Sequence, residues 1–279
     1  MRIKFYGVRG SIATPGADTV RYGGNTACVL VESDSGTLFI FDAGTGIKKL
    51  GDELIERSSR QEIYLLFSHY HWDHIQGFPF FSPAYQNDQV IHLLAAHLDD
   101  GDAYSVLSQM TDPHFPVPSD KLQAAVKVIA DVSEGLKIDD TSVTTLSLNH
   151  PGGGSAYRLD TPKGSMAYVT DNELYPPGEA KTSYQEWLEF VRGVDYLIHD
   201  AMYLDHEAEK IHGWGHSLIS QTLQLAGEAG VANVILFHHD PSRTDAQLDE
   251  IGKNSREWMK QNYPDCNVHM AIEGDEYSL

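Results

Sequence analysis

Between Ser68 and His74 the chain reads Ser-His-Tyr-His-Trp-Asp-His, and no other stretch so narrows what it can fold into. His69, His71, Asp73 and His74 place four candidate metal ligands within six positions, directly after the apolar run Ile63–Phe67. A short apolar run of this kind predicts a buried strand. Residues two apart cannot share one face of a helix. The spacing therefore predicts a loop at a strand end, where the backbone can turn each side chain inward. Neutral imidazoles suit zinc, iron or manganese, and a carboxylate beside them suits a second cation. A histidine-rich surface turn is the bland alternative, and four ligands in six positions weigh against it.

With 279 residues, one large domain or two small ones could form, and 41% hydrophobic content suffices for a sizeable core. Acidic residues outnumber basic ones forty to twenty, a formal net charge of −20. That balance disfavours a non-specific nucleic-acid binder, which needs a basic stripe to replace phosphate counterions. Anionic membrane surfaces are disfavoured for the same reason. Cys28 and Cys266 stand far apart with no Cys-x-x-Cys pair, so neither a disulfide framework nor a thiolate zinc finger is expected. The opening Met1–Tyr6 has no signal-peptide core, and no apolar run has the length of a membrane span. A soluble cytoplasmic protein without membrane contact is expected. Fourteen histidines call for an explanation beyond packing.

Strand-like runs come first, at Ile3–Tyr6, Thr26–Val31 and Thr37–Phe41, with glycine-rich turns at Gly7–Gly16 and Asp42–Gly46. A helical pattern covers Ile47–Arg57. After the histidine loop come a strand at Val90–Leu94 and a helix at Ala103–Met110. Residues 111–118 hold three prolines, which excludes regular helix or central strand. The stretch 100–120 reads either as a surface connection or as a lid inserted over the metals. Strands follow at Ala124–Ala130, Val143–Leu148, Ala156–Leu159 and Met166–Thr170. Helix Tyr184–Arg192, strand Asp195–His199 and an amphipathic helix with Ser217 as its N-cap come next. Strand Asn233–Phe237, helix Asp245–Gln261 and strand Val268–Ile272 finish the chain. No linker or low-complexity tract interrupts it, so a single domain over residues 1–279 is expected, with two sheets face to face and helices outside.

Further ligands are sought at strand ends, whose last residues converge on one rim. His150, Asp171 and the doublet His238-His239 each follow a strand-like run. Alone, each is an ordinary cap or turn; together, after a four-ligand loop, they read as a set. Asp200 and His216 are two more such groups, candidates for a general acid and the carboxylate that orients it. A local hydrogen bond at a helix start is the plainer reading of His216.

His-x-His-x-Asp-His, followed in order by strand-end His, Asp and His, resembles the metallo-β-lactamase superfamily over nearly the whole chain. The resemblance implies an α/β fold, a four-layer αβ/βα sandwich, with two divalent metal ions between the sheets. It implies that His69, His71 and His150 hold one metal, and Asp73, His74 and His238 the other. Asp171 would bridge both, with Asp42 just behind. Leu236-Phe-His238 is similar to the family's Leu-Thr-His and favours His238 over His239. Leu197-Ile-His-Asp200 and Gly215-His-Ser217 are similar to the ribonuclease Z-like phosphodiesterase branch. Gly7-Val-Arg-Gly-Ser11 and Arg21-Tyr-Gly-Gly-Asn-Thr26 look like a bacterial subgroup of it. Two departures shape the expectation: Asp200 stands where that branch has Glu, shortening the reach, and no glycine- and basic-rich tRNA-holding arm is present.

The resemblance thus implies a dinuclear metal-dependent hydrolase, with Asp73, His216 and Asp200 as catalytic residues. A water shared by two cations becomes available as hydroxide near neutral pH, and His216, held by Asp200, protonates the departing alkoxide. Zinc is the expected metal, with manganese or iron open. The expected partner is a small phosphodiester, including a cyclic nucleotide, rather than structured nucleic acid, although Arg9 and Arg21 could line a basic groove. A homodimer is left open. A thioester or lactone hydrolase on the same fold is the alternative, and a di-iron redox or sensory protein a further one.

Overall fold

The computed structural model describes residues 1–58, 60–97, 104–129, 132 and 135–279. Its strands are β1 (Arg2–Gly7), β2 (Cys28–Glu32), β3 (Leu38–Phe41), β4 (Ile63–Leu66), β5 (Val90–Leu94), β6 (Ala125–Ile129) and β7 (Leu136–Ile138). There follow β8 (Thr141–Ser147), β9 (Ser155–Thr161), β10 (Gly164–Val169), β11 (Tyr196–Asp200), β12 (Asn233–Phe237), β13 (Asn267–Met270) and β14 (Glu276–Ser278). They form two seven-stranded sheets, ordered β14-β1-β2-β3-β4-β5-β6 and β13-β12-β11-β10-β9-β8-β7.

Helices are α1 (Ile47–Ile55), α2 (Trp72–Ile75), α3 (Ser105–Ser108), α4 (Tyr184–Phe190), α5 (Ala208–Ile211), α6 (Ile219–Glu228) and α7 (Asp245–Asn262). Alternate residues of the central strands feed different cores, which is why those strands are continuously apolar. Phe39 and Phe41 meet Tyr168, Ile235 and Phe237 between the sheets. Leu38 and Ile40 turn outward to Leu50 and Leu54 of α1. On the far side, Val234 and Leu236 pack with Trp187, Leu223 and Leu248 from α4, α6 and α7. The result is the expected four-layer αβ/βα sandwich.

Strands β3 to β6 are mutually parallel, as are β10 to β13. Because β9 is antiparallel to both neighbours, β8 runs the same way as β10. The carboxyl ends of β8, β10, β11 and β12 therefore share one rim, the usual place for a ligand in such sheets.

Several elements differ from expectation. The helix over 103–110 is one turn, Ser105–Ser108, with Ala103 outside the described residues. Ala130 of the expected strand 124–130 and residues 100–103 of the expected lid also lie outside them. Within 111–118, Phe115 meets Phe80 edge-on with ring centroids 5.5 Å apart. Ser217 is not a cap: its hydroxyl donates to the Asn172 carbonyl, and α6 begins after Leu218. Among the described residues, no helix is long and apolar enough to cross a membrane.

Candidate metal centre

The histidine loop is half helix. His69 follows β4, His71 precedes α2 on extended backbone, and α2 starts at Trp72, so Asp73 and His74 lie in its first turn. A strand end joined at once to a helix start turns all four side chains one way.

His69, His71 and His150 form one group, and Asp73, His74, Asp171 and His238 a second. Within each group the ligand atoms lie within 4.8 Å of one another. Asp171 spans the two: its Oδ2 is 3.2 Å from Nε2 of both His74 and His238, and its Oδ1 3.9 Å from Nε2 of His69. His239 turns away. Its Nε2 donates to the Ala271 carbonyl at 2.9 Å, and burial pushes its pKa down to about 3. Of the doublet, His238 alone faces the cluster.

A buried hub sets the imidazole tautomers. Asp42 accepts the Ser68 amide at 2.7 Å, Nδ1–H of His74 at 2.9 Å and the Tyr168 hydroxyl at 2.8 Å. The Ser68 hydroxyl gives its one proton to Asp42, so it must accept from Nδ1–H of His69, 3.1 Å away. His150 donates Nδ1–H to the Gly215 carbonyl at 3.0 Å. Three rings thus keep Nε2 for the centre, as metal-binding histidines do.

The fit to divalent cations is direct. Nε2 of His69 and of His74 are buried without a hydrogen-bond partner, which costs about 1–3 kcal/mol each in an apolar setting. With Nδ1–H of His74 spent on Asp42, its Nε2 lone pair faces oxygens of Asp73 and Asp171, each at 3.2 Å. Lone pairs and carboxylates pointed at one another suit a cation with nitrogen and oxygen ligands. Burial pushes the His69 pKa down, keeping the ring in its ligand form.

The backbone is strained where these groups sit. Asp42, Asp171 and His238 adopt φ of 59°, 47° and 59°. Ser11, whose amide holds Asp73 Oδ2 at 2.7 Å, has φ of 62°. Left-handed backbone at non-glycine residues clusters at functional sites.

Beside the cluster, Nδ1 of His216 lies 2.7 Å from Asp200 Oδ2, while Asp200 Oδ1 accepts the Met202 amide. The shorter Asp side chain reaches because β11 ends on it. Burial works against a charged His216, but the Asp200 carboxylate outweighs it and raises the pKa to about 9. Nothing in the sequence singled out Glu173. Buried, it accepts the amides of Gly213 and Gly215 at 3.0 Å, holding the loop that carries the Gly215 carbonyl and His216. Arg9 and Arg21 do not line the groove. Arg9 is buried, its guanidinium on the Gly23 and Arg243 carbonyls. Arg21 is paired with Asp249.

Residues 37–239 match the beta-lactamase superfamily domain, and the chain belongs to the metallo-β-lactamase superfamily, on its ribonuclease Z-like branch. A Ribonuclease Z of Haloarcula marismortui is 23% identical over an alignment of 322 residues, spanning 99% of this chain and 96% of that protein. One from Halalkalibacterium halodurans is 32% identical over 98 residues, covering 35% of this chain and only 29% of that relative. The metallo-beta-lactamase fold protein YhfI of Bacillus subtilis superimposes with a TM-score of 0.69 at 19% identity, over 99% of this chain and 98% of that one. Fold family and His/Asp cluster together imply divalent metal ions.

Proposed function

We propose that this protein is a metal-dependent hydrolase of small phosphodiesters in which His216 protonates the departing alcohol. Metal-dependent hydrolysis follows from the family and the ligand cluster. The observation that carries phosphodiester chemistry is the 2.7 Å pair of Asp200 and His216 beside that cluster. An alkoxide is a poor leaving group and needs a proton, whereas a thiolate does not, so an added acid favours phosphodiesters over thioesters.

In this reading His69, His71 and His150 would hold one ion and Asp73, His74 and His238 a second, with Asp171 placed to serve either. Zinc suits the donors, as do manganese and iron. When bound, such ions lower the pKa of a water and neutralise charge on the phosphoryl oxygens. The chain's own residues do the rest. Asp73, held by the Ser11 amide, orients the attacking water. Asp200 holds Nδ1–H of His216, leaving Nε2–H for the ester oxygen. Water loses a proton to solvent by way of Asp73 as its oxygen bonds to phosphorus. The bond to the departing oxygen breaks with its electron pair, that oxygen takes the His216 proton, and His216 is reprotonated from solvent. A diester and water become a monoester and an alcohol.

The ribonuclease name of the relatives draws the reading toward RNA. The net charge of −20 and the engagement of Arg9 and Arg21 elsewhere draw it toward a small substrate. The test compares small diesters, precursor tRNA and an acyl thioester at matched metal over several salt concentrations. Turnover of small diesters with KM nearly independent of salt is expected. Salt-sensitive cleavage of the tRNA with poor small-diester turnover would replace the small substrate with RNA, since several phosphate contacts make binding steeply salt-dependent. Thioester turnover alone would overturn phosphodiester chemistry.

A further inference from the structure

His216 has a second neighbour besides the metal cluster. A cavity of about 420 Å³ opens against it, bounded by Ile211 of α5, Leu218 at the start of α6, and Tyr175. That volume is in the range that holds a small organic group. Tyr175 offers a flat wall, since its ring stacks on Tyr184 with centroids 5.3 Å apart and planes at 19°. Apart from the His216 ring, which carries the proton to be donated, the charges around the cavity have one sign. Glu173 and Glu209 line it, and neither lysine nor arginine does among the described residues. Its other basic ring, His212, is already placed, with Nε2 3.1 Å from the Tyr175 carbonyl and 3.6 Å from Glu173.

From this geometry we infer that the cavity receives the alcohol that departs from the phosphodiester, and that this alcohol is uncharged and carries a flat aromatic group, as a nucleoside does. The inference rests on the phosphodiesterase reading, because the oxygen that takes the His216 proton must lie against that ring as it leaves. Whatever is attached to the oxygen then enters the space beside it. Apolar and aromatic walls favour a ring there by burial and stacking. A departing chain with further phosphates would meet two carboxylates and, once His216 has given up its proton, neither lysine nor arginine, and like charges without compensation repel. The cavity therefore selects against a polynucleotide on the departing side while accepting a single nucleoside.

The test uses three methyl phosphodiesters that differ in the second alcohol (methanol, benzyl alcohol, and benzyl alcohol bearing a phosphate on its ring), with the released alcohol identified in each case. Methanol and benzyl alcohol are close in acidity, so a difference in kcat/KM reports the cavity and not the bond. The metal-loaded wild-type protein is expected to prefer the benzyl over the methyl ester, and over the ring-phosphorylated ester, by roughly tenfold or more, the scale of a few apolar contacts. Leu218→Ala should cut the benzyl-to-methyl preference several-fold. Glu209→Lys, a change on the exposed side of a short helix, should raise kcat/KM for the phosphorylated ester relative to the benzyl one. Equal preferences in wild type, or ratios that neither variant moves, would overturn the cavity assignment while diester turnover upheld the function. Failure to hydrolyse any of the three would overturn both.

Discussion

His216 and Glu173 work through different atoms, and their substitutions should separate. His216→Ala removes the proton donor while leaving all seven proposed ligands in place, although its ring packs on His238 with centroids 5.3 Å apart. Metal content by elemental analysis should hold, and turnover of alkyl diesters should fall by about 10²–10⁴-fold. A p-nitrophenyl diester, whose leaving group needs little protonation, should lose much less; equal losses would point to folding or binding instead. Glu173 acts at one remove, through amides that fix the carbonyl on which His150 rests. Glu173→Ala strands the half-buried Gly213 amide and the buried Gly215 amide, the latter at a cost of about 1–3 kcal/mol. Thermal unfolding should come earlier and metal should dissociate more readily under a chelator, with Glu173→Gln recovering part of both, since it keeps one acceptor. Unchanged metal retention in the alanine variant would remove Glu173 from the support of His150.

Among the elements, α7 is the clearest case of local sequence deciding local structure. Thr244 caps it and Gln247 returns the bond, a reciprocal box that satisfies two otherwise orphaned amides. Thr244→Ala should lower the free energy of urea unfolding by about 1 kcal/mol. The same logic shows what was legible beforehand. Strands β3, β4 and β12 announce themselves because both their faces are buried. Strands β7 (Leu-Lys-Ile) and β14 (Glu-Tyr-Ser) did not, being three residues long, too short for an alternation to register. Ser217 looked like a cap, but a hydroxyl bonds whatever carbonyl the fold brings closest, and here that is Asn172. The gathered histidines and aspartates were readable because ligand chemistry demands particular side chains at strand ends. Asp42 as a hub needed the resemblance, and Glu173 was invisible, because its partners are backbone amides 40 residues away that no side-chain pattern encodes.

At the scale of the whole molecule, the ligand cluster joins the sheets: His69 to His74 come from the first, and His150, Asp171 and His238 from the second. Ions bound there stabilise the folded form alone, by about 2.7 kcal/mol at a hundredfold excess over the dissociation constant. Chelation should therefore lower the Tm, and restoring zinc or manganese should raise it in a concentration-dependent way; a Tm indifferent to chelator would argue against ions that bridge the sheets. The left-handed backbone at Asp171 adds a warning about how such a molecule is dissected. An alanine placed there keeps a Cβ where φ is 47°, so its damage mixes two losses, the carboxylate and the chain's tolerance of that turn. Glycine removes the same carboxylate but relaxes the turn, a difference of about 1–2 kcal/mol. Metal-free Asp171→Gly should thus outlast metal-free Asp171→Ala in denaturant, while both bind metal equally poorly. Scanning this rim with alanine alone would credit the metal with stability that belongs to the backbone.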